Sequence, residues 1–173
     1  MMFFSDSYGI IFQTSSFKES NNVDAIIAYN VSNESFYRIG NRSYVPLIAL
    51  DSNIDDPIFF QITSDYQKIK EEANRYFNKN YLFIAIEPSN EKIKSEILDT
   101  FENVRFINNI DDLNQINETN ILTTDSVINS FFVAKGAKVL FNSETISLKC
   151  KQVAKCLSLA LSHEPFDTHN YKI

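Results

Sequence analysis

The sequence predicts an α/β protein with a Rossmann-like parallel or mixed sheet and flanking helices, preceded by a β-rich N-terminal segment. Short apolar runs alternate with helical periods over residues 58–162, which is typical of parallel strands joined by crossover helices. Apolar residues make up 44% of the chain, and 15 Phe and 8 Tyr provide bulk for a sizeable core. We expect a single α/β domain over residues 1–173, with a β-rich segment (1–62), an alternating region (63–162) and a polar tail (163–173).

The β-rich segment contains short runs of β-branched and aromatic residues, separated by Ser, Asn, Asp, Gly and Pro. Its turn-forming residues predict a hairpin tip at Asn30–Glu34 and a second turn around Gly40. Pro46 has no N–H to donate, so the run that contains it is expected to be an edge strand or to begin late. The predicted strands are Tyr8–Gln13, Val23–Val31, Ser35–Ile39, Tyr44–Leu50 and Ile58–Ile62.

From residue 63 the pattern changes to strands that alternate with helices. Ser64 followed by Gln67 fits a capping box and predicts a helix that ends near Asn78. Gly136 suits the position just after a helix, so the helix that begins near Ser126 is expected to end before it. The other predicted elements are strands at Tyr81–Ile86, Val104–Ile107, Ile121–Thr124 and Ala137–Phe141, a helix capped by Ser89 or Asn90, one or two helical turns at 111–116 and a long helix at 144–162.

Composition disfavours several classes of partner. The net charge is −6 and the basic residues form no stripe, so we expect no nucleic-acid binding. No apolar run is long enough for a transmembrane segment, and the N-terminus lacks the basic start of a signal peptide. Cys150 and Cys156 fall on one predicted helix, too far apart for a disulfide. Unpaired thiols and a cytoplasmic location are expected.

The motifs of common cofactor and metal sites are missing from the sequence. There is no Gly-x-Gly-x-x-Gly and no P-loop, so standard dinucleotide binding and P-loop hydrolysis are not expected. His163 and His169 flank Asp167, but they lie in the predicted polar tail, where a solvated segment is the simpler interpretation. We therefore predict no cofactor and no metal site.

The strand ends are the best candidates for ligand contacts. In open parallel sheets, ligands bind outside the carboxyl ends of the strands, where helix N-termini present free N–H groups. Two predicted corners, residues 87–90 and 123–126, carry suitable polar residues, although Ser, Thr and Asp are also ordinary helix caps. Any anion or nucleotide site is expected at 123–126. The candidate ligand-binding residues are Pro88, Ser89, Thr123, Thr124 and Ser126.

Four segments carry a family resemblance: YLFIAIEPSN (81–90), NVRFINN (103–109), ILTTDSVINS (121–130) and KGAKVLF (135–141). In this order they resemble the C-terminal, nucleotide-sugar-binding half of GT-B glycosyltransferases, of the bacterial capsule and lipooligosaccharide type that uses CMP-activated sugars. The resemblance covers roughly residues 58–141.

That resemblance implies a nucleotide-sugar ligand. It matches Thr123, Thr124 and Ser126 to the family's hydroxyl-rich loop and retains Pro88, whereas Glu87 stands where the family has a phosphate-binding histidine. Residues 1–57 are too few to supply the half of the enzyme that carries the catalytic carboxylate. The resemblance therefore implies a truncated or degenerate relative, with its catalytic residues unknown.

Three functions are open at this point. The first is a glycosyltransferase-like nucleotide-sugar-binding protein, whether or not it is an enzyme. The alternative is a non-enzymatic module with a protein partner, such as an immunity, chaperone or accessory protein, which the acidic charge and many aromatic residues suit. The third is a metal-dependent nuclease built on Asp51, Asp55 and Asp56, although no Asp/Glu-X-Lys follows on a predicted strand.

Overall fold

The computed structural model describes residues 2–4, 24–41, 45–162 and 170–173. The predicted strand Tyr8–Gln13 and the His163–His169 pair lie outside these residues. In chain order, the described elements are β1 Met2–Phe4, β2 Ile26–Tyr29, α1 Asn33–Gly40, β3 Leu47–Leu50, β4 Phe60–Thr63, α2 Tyr66–Phe77, β5 Leu82–Ile86, α3 Glu91–Thr100, β6 Val104–Ile107, a 3-10 helix Ile110–Gln115, β7 Asn120–Leu122, α4 Ser126–Ala134, β8 Lys138–Leu140, α5 Ser143–Leu161 and β9 Asn170–Lys172.

The strands form two sheets. A five-stranded sheet has the order β1-β2-β3-β4-β9, and a four-stranded sheet has the order β6-β5-β7-β8. Every neighbouring pair in both sheets is parallel. The predicted α/β class, with parallel strands and flanking helices, is confirmed; the strands are divided between two sheets rather than assembled in one.

The residues also group into two compact units, each with its own sheet. The first unit contains Met1–Ser64, Ser89–Ile93 and Thr145–Ile173, and the second contains Asp65–Pro88 and Lys94–Glu144. The five-stranded sheet belongs to the first unit and the four-stranded sheet to the second. The assignment of residues 1–173 to a single domain stays a prediction.

The sheet of the first unit is covered on both faces. Alternate residues of a strand point to opposite faces, so β2 and β3 each contribute to two apolar clusters, whereas the buried residues Phe60 and Ile62 of β4 belong to one of them. One cluster centres on the fully buried Phe36 of α1, and the other includes Val153 and Cys156 of α5. The strand residues in the first cluster are Ile26, Ala28, Leu47 and Ala49, and those in the second are Ile27, Ile48, Phe60 and Ile62.

The largest error of the sequence-based prediction lies in this unit. Ser35–Ile39 was predicted as a strand after a hairpin tip at Asn30–Glu34; both predictions are wrong, because α1 begins at Asn33 and runs to Gly40. The Ser32 hydroxyl accepts a hydrogen bond from the Ser35 N–H at 3.1 Å and caps the helix. Serine and asparagine favour turns and helix N-caps alike, so the polar residues at 30–34 suggested a turn where the chain forms a helix N-terminus.

Pro46 predicts either an edge strand or a strand that begins late, and the structure distinguishes between the two. β3 begins at Leu47, directly after Pro46, which confirms the late start. The edge position is wrong, because β3 pairs with β2 on one side and β4 on the other. A proline just before the first strand residue costs the ladder no hydrogen bond, so an internal strand tolerates it.

The second unit follows the predicted order more closely. β6 has the predicted limits, and β5, β7 and β8 are somewhat shorter than predicted. Gly136 follows the end of α4 with φ of 79°, a left-handed conformation that glycine adopts at no steric cost. The Ser64–Gln67 capping box is wrong, because the N-cap of α2 is Asp65, whose carboxylate accepts from the Lys68 N–H at 3.1 Å.

β9 extends the first sheet beyond β4. Its residues pair in register with those of β4, as Gln61 with Asn170 and Thr63 with Lys172. The segment was predicted as part of a polar tail, because a three-residue edge strand of sequence Asn-Tyr-Lys has no apolar pattern.

Within the described residues, no helix has both the length and the apolar character needed to cross a membrane.

Candidate functional site

The strand order of the second unit reverses between β5 and β7. The chain places β6 on one side of β5, then returns to the other side for β7 and β8. Such a reversal opens a crevice outside the carboxyl ends of the two strands, which is where open α/β sheets bind ligands. β5 and β7 pair as far as Phe83 and Leu122, after which β7 ends and β5 continues to Ile86. The segments that follow β5 and β7 therefore form the candidate site.

Glu87 is the first residue after β5. Its N–H donates to the Ile107 carbonyl at 3.0 Å, which fixes the backbone next to β6. Its carboxylate accepts from Lys94 Nζ at 2.5 Å and from Asn108 Nδ2 at 2.8 Å. These bonds, led by that from Lys94, hold the pKa of Glu87 below its ordinary value. The side chain is 32% exposed, so a negatively charged acceptor stands at the edge of the crevice.

The loop after β7 carries three predicted ligand residues. Thr123 is buried, with its N–H donating to the Leu140 carbonyl and its hydroxyl accepting from the Asp125 N–H at 3.1 Å. Its side chain is therefore used within the loop. Thr124 is half-buried and Ser126 is exposed, and within the described part of the chain neither hydroxyl has a hydrogen-bond partner. These two hydroxyls are available to a ligand.

The N-terminus of α4 is already occupied by the chain itself. The Asp125 carboxylate accepts from the N–H groups of Val127 and Ile128, at 2.8 and 3.0 Å. A bound phosphate would have to displace this carboxylate and would be repelled by its charge. The other α-helices also begin on polar side chains of the chain, which accept backbone N–H bonds: Ser32 for α1, Asp65 for α2, Asn90 for α3 and Asn142 for α5.

The remaining two predicted site residues lie in different units. Pro88 is buried at the end of the segment that follows β5, in the second unit. Ser89 belongs to the first unit, where its N–H donates to the Asn30 side-chain carbonyl at 3.0 Å. Thus Pro88 shares the carboxyl edge of the four-stranded sheet with the hydroxyl loop, and Ser89 is grouped with the five-stranded sheet.

The carboxyl edge of the first unit carries an ion pair. Asp51 follows β3 directly and has a left-handed backbone with φ of 49°, as does Asn30 after β2 with φ of 48°. The Asp51 carboxylate pairs with Lys149 of α5, and the lysine also donates to the Ser64 hydroxyl at 2.7 Å. The side chains of Lys149 and Asp51 are only 12% and 21% exposed. The ion pair therefore ties α5 to the ends of β3 and β4.

A buried amide closes the rest of that edge. Asn90 is 1% exposed, and its Nδ2 donates to the carbonyls of Val31 and Asn53 at 3.3 and 3.2 Å. Its Oδ1 caps α3 by accepting from the Ile93 N–H, which confirms one of the two predicted caps. Ser52, which is fully buried, accepts from the Val31 N–H at 2.8 Å. The polar groups of this edge are therefore bonded mainly to one another.

Sequence reasoning missed Lys94 and Asn108 as partners of Glu87. The lysine is on the helix that follows Glu87, and Asn108 follows the adjacent strand β6. Both residues directly follow predicted strands, and the carboxyl ends of neighbouring parallel strands meet at one edge of a sheet. The sequence could therefore have predicted the contact between Glu87 and Asn108, but it did not establish that those two strands are neighbours.

The three carboxylates considered for a nuclease do not converge. Asp51 pairs with Lys149 and Asp55 pairs with Lys92, while the Asp56 carboxylate accepts from the Ile58 N–H at 3.0 Å in a local turn. Across the described ranges, no three His, Cys, Asp or Glu side chains are placed to hold a metal ion. The structure therefore gives the nuclease hypothesis no support.

The chain is similar to known proteins in its fold but not in its sequence. No family model and no curated protein sequence matches the chain. Among solved structures, it is similar to a periplasmic binding protein/LacI transcriptional regulator from Alkaliphilus metalliredigens QYMF complexed with D-xylulofuranose, with a TM-score of 0.54 and 13% identity over 88% of this chain and 75% of the other. It is also similar to a LacI transcriptional regulator from Lactobacillus brevis, with a TM-score of 0.53 and 11% identity over 89% of this chain and 77% of the other.

These similarities overturn the glycosyltransferase hypothesis. The resemblance to the nucleotide-sugar-binding half of GT-B enzymes rested on the order of strands and helices, whereas the solved structures similar in fold to this chain are LacI-type regulators, one of them described also as a periplasmic binding protein. The filled N-terminus of α4 and the carboxylate of Glu87 are unsuited to a nucleotide phosphate. The comparisons give no support to an immunity, chaperone or accessory role either. At these identities they show the fold alone.

Proposed function

We propose that this chain binds a neutral, hydroxyl-rich small molecule of the sugar class at the carboxyl edge of the four-stranded sheet. The observation that carries the proposal is the switch point between β5 and β7, which has a partly exposed carboxylate on one side and two unpaired hydroxyls on the other. The residues proposed to contact the ligand are Glu87, Asn108, Thr124 and Ser126.

The chemistry of these groups suits sugar hydroxyls. Each hydroxyl of a sugar both donates and accepts, and the site offers both kinds of partner. The Glu87 carboxylate accepts, the Asn108 amide donates and accepts, and the hydroxyls of Thr124 and Ser126 do both. Glu87 uses two of its roughly four lone-pair positions on Lys94 and Asn108, which leaves capacity for a ligand.

A neutral ligand is favoured over an anionic one. Asp125 occupies the N-terminus of α4, and Glu87 adds a second negative charge to the same edge of the sheet. Lys94 lies at this edge, and its ammonium group already pairs with Glu87. One of the structurally similar proteins has a bound sugar, D-xylulofuranose, which supports the sugar class without identifying this chain's ligand.

The proposal is tested by isothermal titration calorimetry with pentoses, hexoses and polyols, D-xylulose included, and with CMP and UDP as anionic comparisons. We expect at least one neutral sugar to bind with a dissociation constant below about 1 mM. The double variant Thr124→Val/Ser126→Ala should lose at least tenfold in affinity, since each lost hydrogen bond is worth about 1 kcal/mol. Its free energy of unfolding should change by less than about 0.5 kcal/mol.

A matched control is present elsewhere in the chain. Thr145 and Ser147 have the same spacing and the same exposure classes as Thr124 and Ser126, and they also lie at the start of a helix, α5. The variant Thr145→Val/Ser147→Ala should bind the sugar as the wild type does. The proposal fails if none of the sugars binds at about 10 mM, or if the control weakens binding equally.

Asp51→Asn tests the location of the site. This substitution changes the carboxyl edge of the first unit and leaves the four-stranded sheet intact. We expect unchanged sugar affinity once the fraction of folded protein is matched. Loss of binding in Asp51→Asn, with retained binding in Thr124→Val/Ser126→Ala, would assign the sugar to the first unit instead.

A further inference from the structure

The second unit has a pocket at the amino ends of β5, β6 and β7, at the opposite end of β5 from Glu87. Its volume is about 330 Å³, which is at the lower end for small-molecule sites. The residues that line it are exposed or half-buried, so the pocket is open to solvent. They are Asn80, Tyr81, Leu82, Asn103, Asn117, Glu118, Thr119 and Asn120.

The pocket is lined by side-chain amides, a hydroxyl and one carboxylate. Four of its residues are asparagines, Thr119 adds a hydroxyl, and no lysine or arginine is among them. The Nδ2 group of Asn120 donates to the Asn80 carbonyl at 2.9 Å, so the acceptor of that amide, and not its donor, is left for a ligand. Glu118 accepts a bond from the Asn117 N–H at 3.1 Å and keeps acceptor capacity. The lining therefore favours a ligand that donates hydrogen bonds.

Two helices end beside this pocket. Asn80 follows the end of α2 and Asn103 follows the end of α3, and a helix C-terminus carries the equivalent of about half a negative charge. Two bases partly offset the first of these: Arg75 in the last turn of α2, and Lys138, whose ammonium group donates to the Tyr76 carbonyl at 3.3 Å.

The last turn of α3 contains no basic residue, and Glu102 lies two residues beyond its end at Thr100. Burial, and secondly the charge of Glu102, raise the pKa of Tyr81 in the pocket wall. The charge of Glu102 therefore acts on Tyr81 in the pocket wall.

We propose that this pocket binds a small organic cation with a primary ammonium group. An ammonium group has three donors and no acceptor, which matches a lining of amide oxygens, a hydroxyl and the Glu118 carboxylate. A bare metal ion would fill little of the volume, whereas a short carbon chain beside the ammonium group can lie against Leu82 and Tyr81.

The test is calorimetric titration with putrescine at low ionic strength, with 1,4-butanediol as an uncharged ligand of the same length. Putrescine should bind with a millimolar dissociation constant, and butanediol should not bind. Glu118→Gln should weaken putrescine binding at least fivefold. Glu144→Gln removes an exposed glutamate at the start of α5 and should leave the affinity unchanged. Equal weakening in both variants would show attraction to the net charge and overturn the proposal.

Two further results decide the ligand class. A titration with Ca²⁺ should give no binding that depends on Glu118; if Ca²⁺ binds there and putrescine does not, the pocket is a metal site and the ammonium proposal is wrong. Failure of putrescine to bind at about 20 mM would also overturn it. Because the pocket and Glu87 are at opposite ends of β5, Glu118→Gln should not alter sugar affinity, so the two proposals stand or fall separately.

Discussion

The carboxyl edges of the two sheets carry similar residue types but use them differently. In the first unit, the side chains of Asn90, Ser52 and Lys149 are bonded to groups of the same edge. In the second unit, the hydroxyls of Thr124 and Ser126 have no partner among the described residues. Buried polar groups normally satisfy one another, so the presence of polar residues is not by itself a sign of a ligand site. The second edge is the better candidate because its two hydroxyls are accessible to a ligand and are not bonded to other described residues.

Asn90→Ala should produce the largest effect on stability. It removes the cap of α3 and leaves the carbonyls of Val31 and Asn53 without their side-chain donor. Cap loss costs about 1 kcal/mol and each buried unsatisfied group about 1–3 kcal/mol, so we expect a decrease of about 3 kcal/mol in the free energy of unfolding. Urea unfolding measured by far-ultraviolet circular dichroism would show it.

Asn109→Ala is the matched control in the second unit. Asn109 also caps a helix, the 3-10 helix, but it is exposed and its side chain accepts from the Asp111 N–H. This variant should lose only about 1 kcal/mol. If the two asparagine variants were equally destabilised, the first edge would not be the more tightly bonded of the two.

Lys149→Met should have the next largest effect. It leaves the Asp51 carboxylate mostly buried without its counter-ion and removes a donor to Ser64. Breaking a fully buried pair costs about 3–5 kcal/mol, and the residual exposure here reduces the expected loss to about 2 kcal/mol. Adding Asp51→Asn should recover part of it, because the uncompensated charge disappears. A double variant less stable than Lys149→Met would contradict the assignment of the cost to that charge.

Glu87 should give the smallest effect, and one that depends on pH. Because its pKa in the folded protein lies below the ordinary value of 4.5, the charged carboxylate stabilises the fold above that value. This contribution is lost as the pH falls through the lower, folded pKa. Wild type should therefore be slightly more stable than Glu87→Gln at about pH 7, with the difference fading towards about pH 3.

The control for this pH dependence is Lys94→Met. The lysine provides the main cause of the lowered pKa, so Glu87→Gln should have little pH-dependent effect in the Lys94→Met background. Urea unfolding of wild type, Glu87→Gln, Lys94→Met and the double variant, at about pH 7 and about pH 3, measures these stability differences. A difference between wild type and Glu87→Gln that grows on acidification would show that the carboxylate does not stabilise the fold.

The second unit could be predicted from sequence better than the first. Its strands are continuous apolar runs and its helices have regular periods, so β6 was placed at Val104–Ile107 and the end of α4 before Gly136. In the first unit, the segment from Asn30 to Gly40 is short and rich in turn-forming residues. Its local pattern fits a hairpin as well as a capped helix. The burial of Phe36 against the sheet stabilises the helix.

The division into two sheets and the contacts of Glu87 were beyond local patterns. Alternating strands and helices indicate parallel pairing but do not specify which strands are neighbours. The sequence does not show that the strand order reverses at β5; the pairing of β7 with β5 in the structure shows it. For the same reason, the candidate loop at Thr123–Ser126 could be placed after a strand, whereas the role of Asp125 as the cap of α4 emerged from hydrogen bonds. The five residues proposed from sequence as ligand contacts stay a prediction.

The position of β9 has a consequence for the order in which the chain folds during synthesis. β5 to β8 follow one another between residues 82 and 140, so the four-stranded sheet can form as soon as that stretch has left the ribosome. The five-stranded sheet must wait, because Thr63 and its neighbour Asn170 are 107 positions apart. Until residues 170–172 are made, one edge of β4 keeps its backbone groups unpaired and open to other strands. In a nascent chain, resistance to protease should therefore be gained first over residues 94–144 and last over residues 45–64.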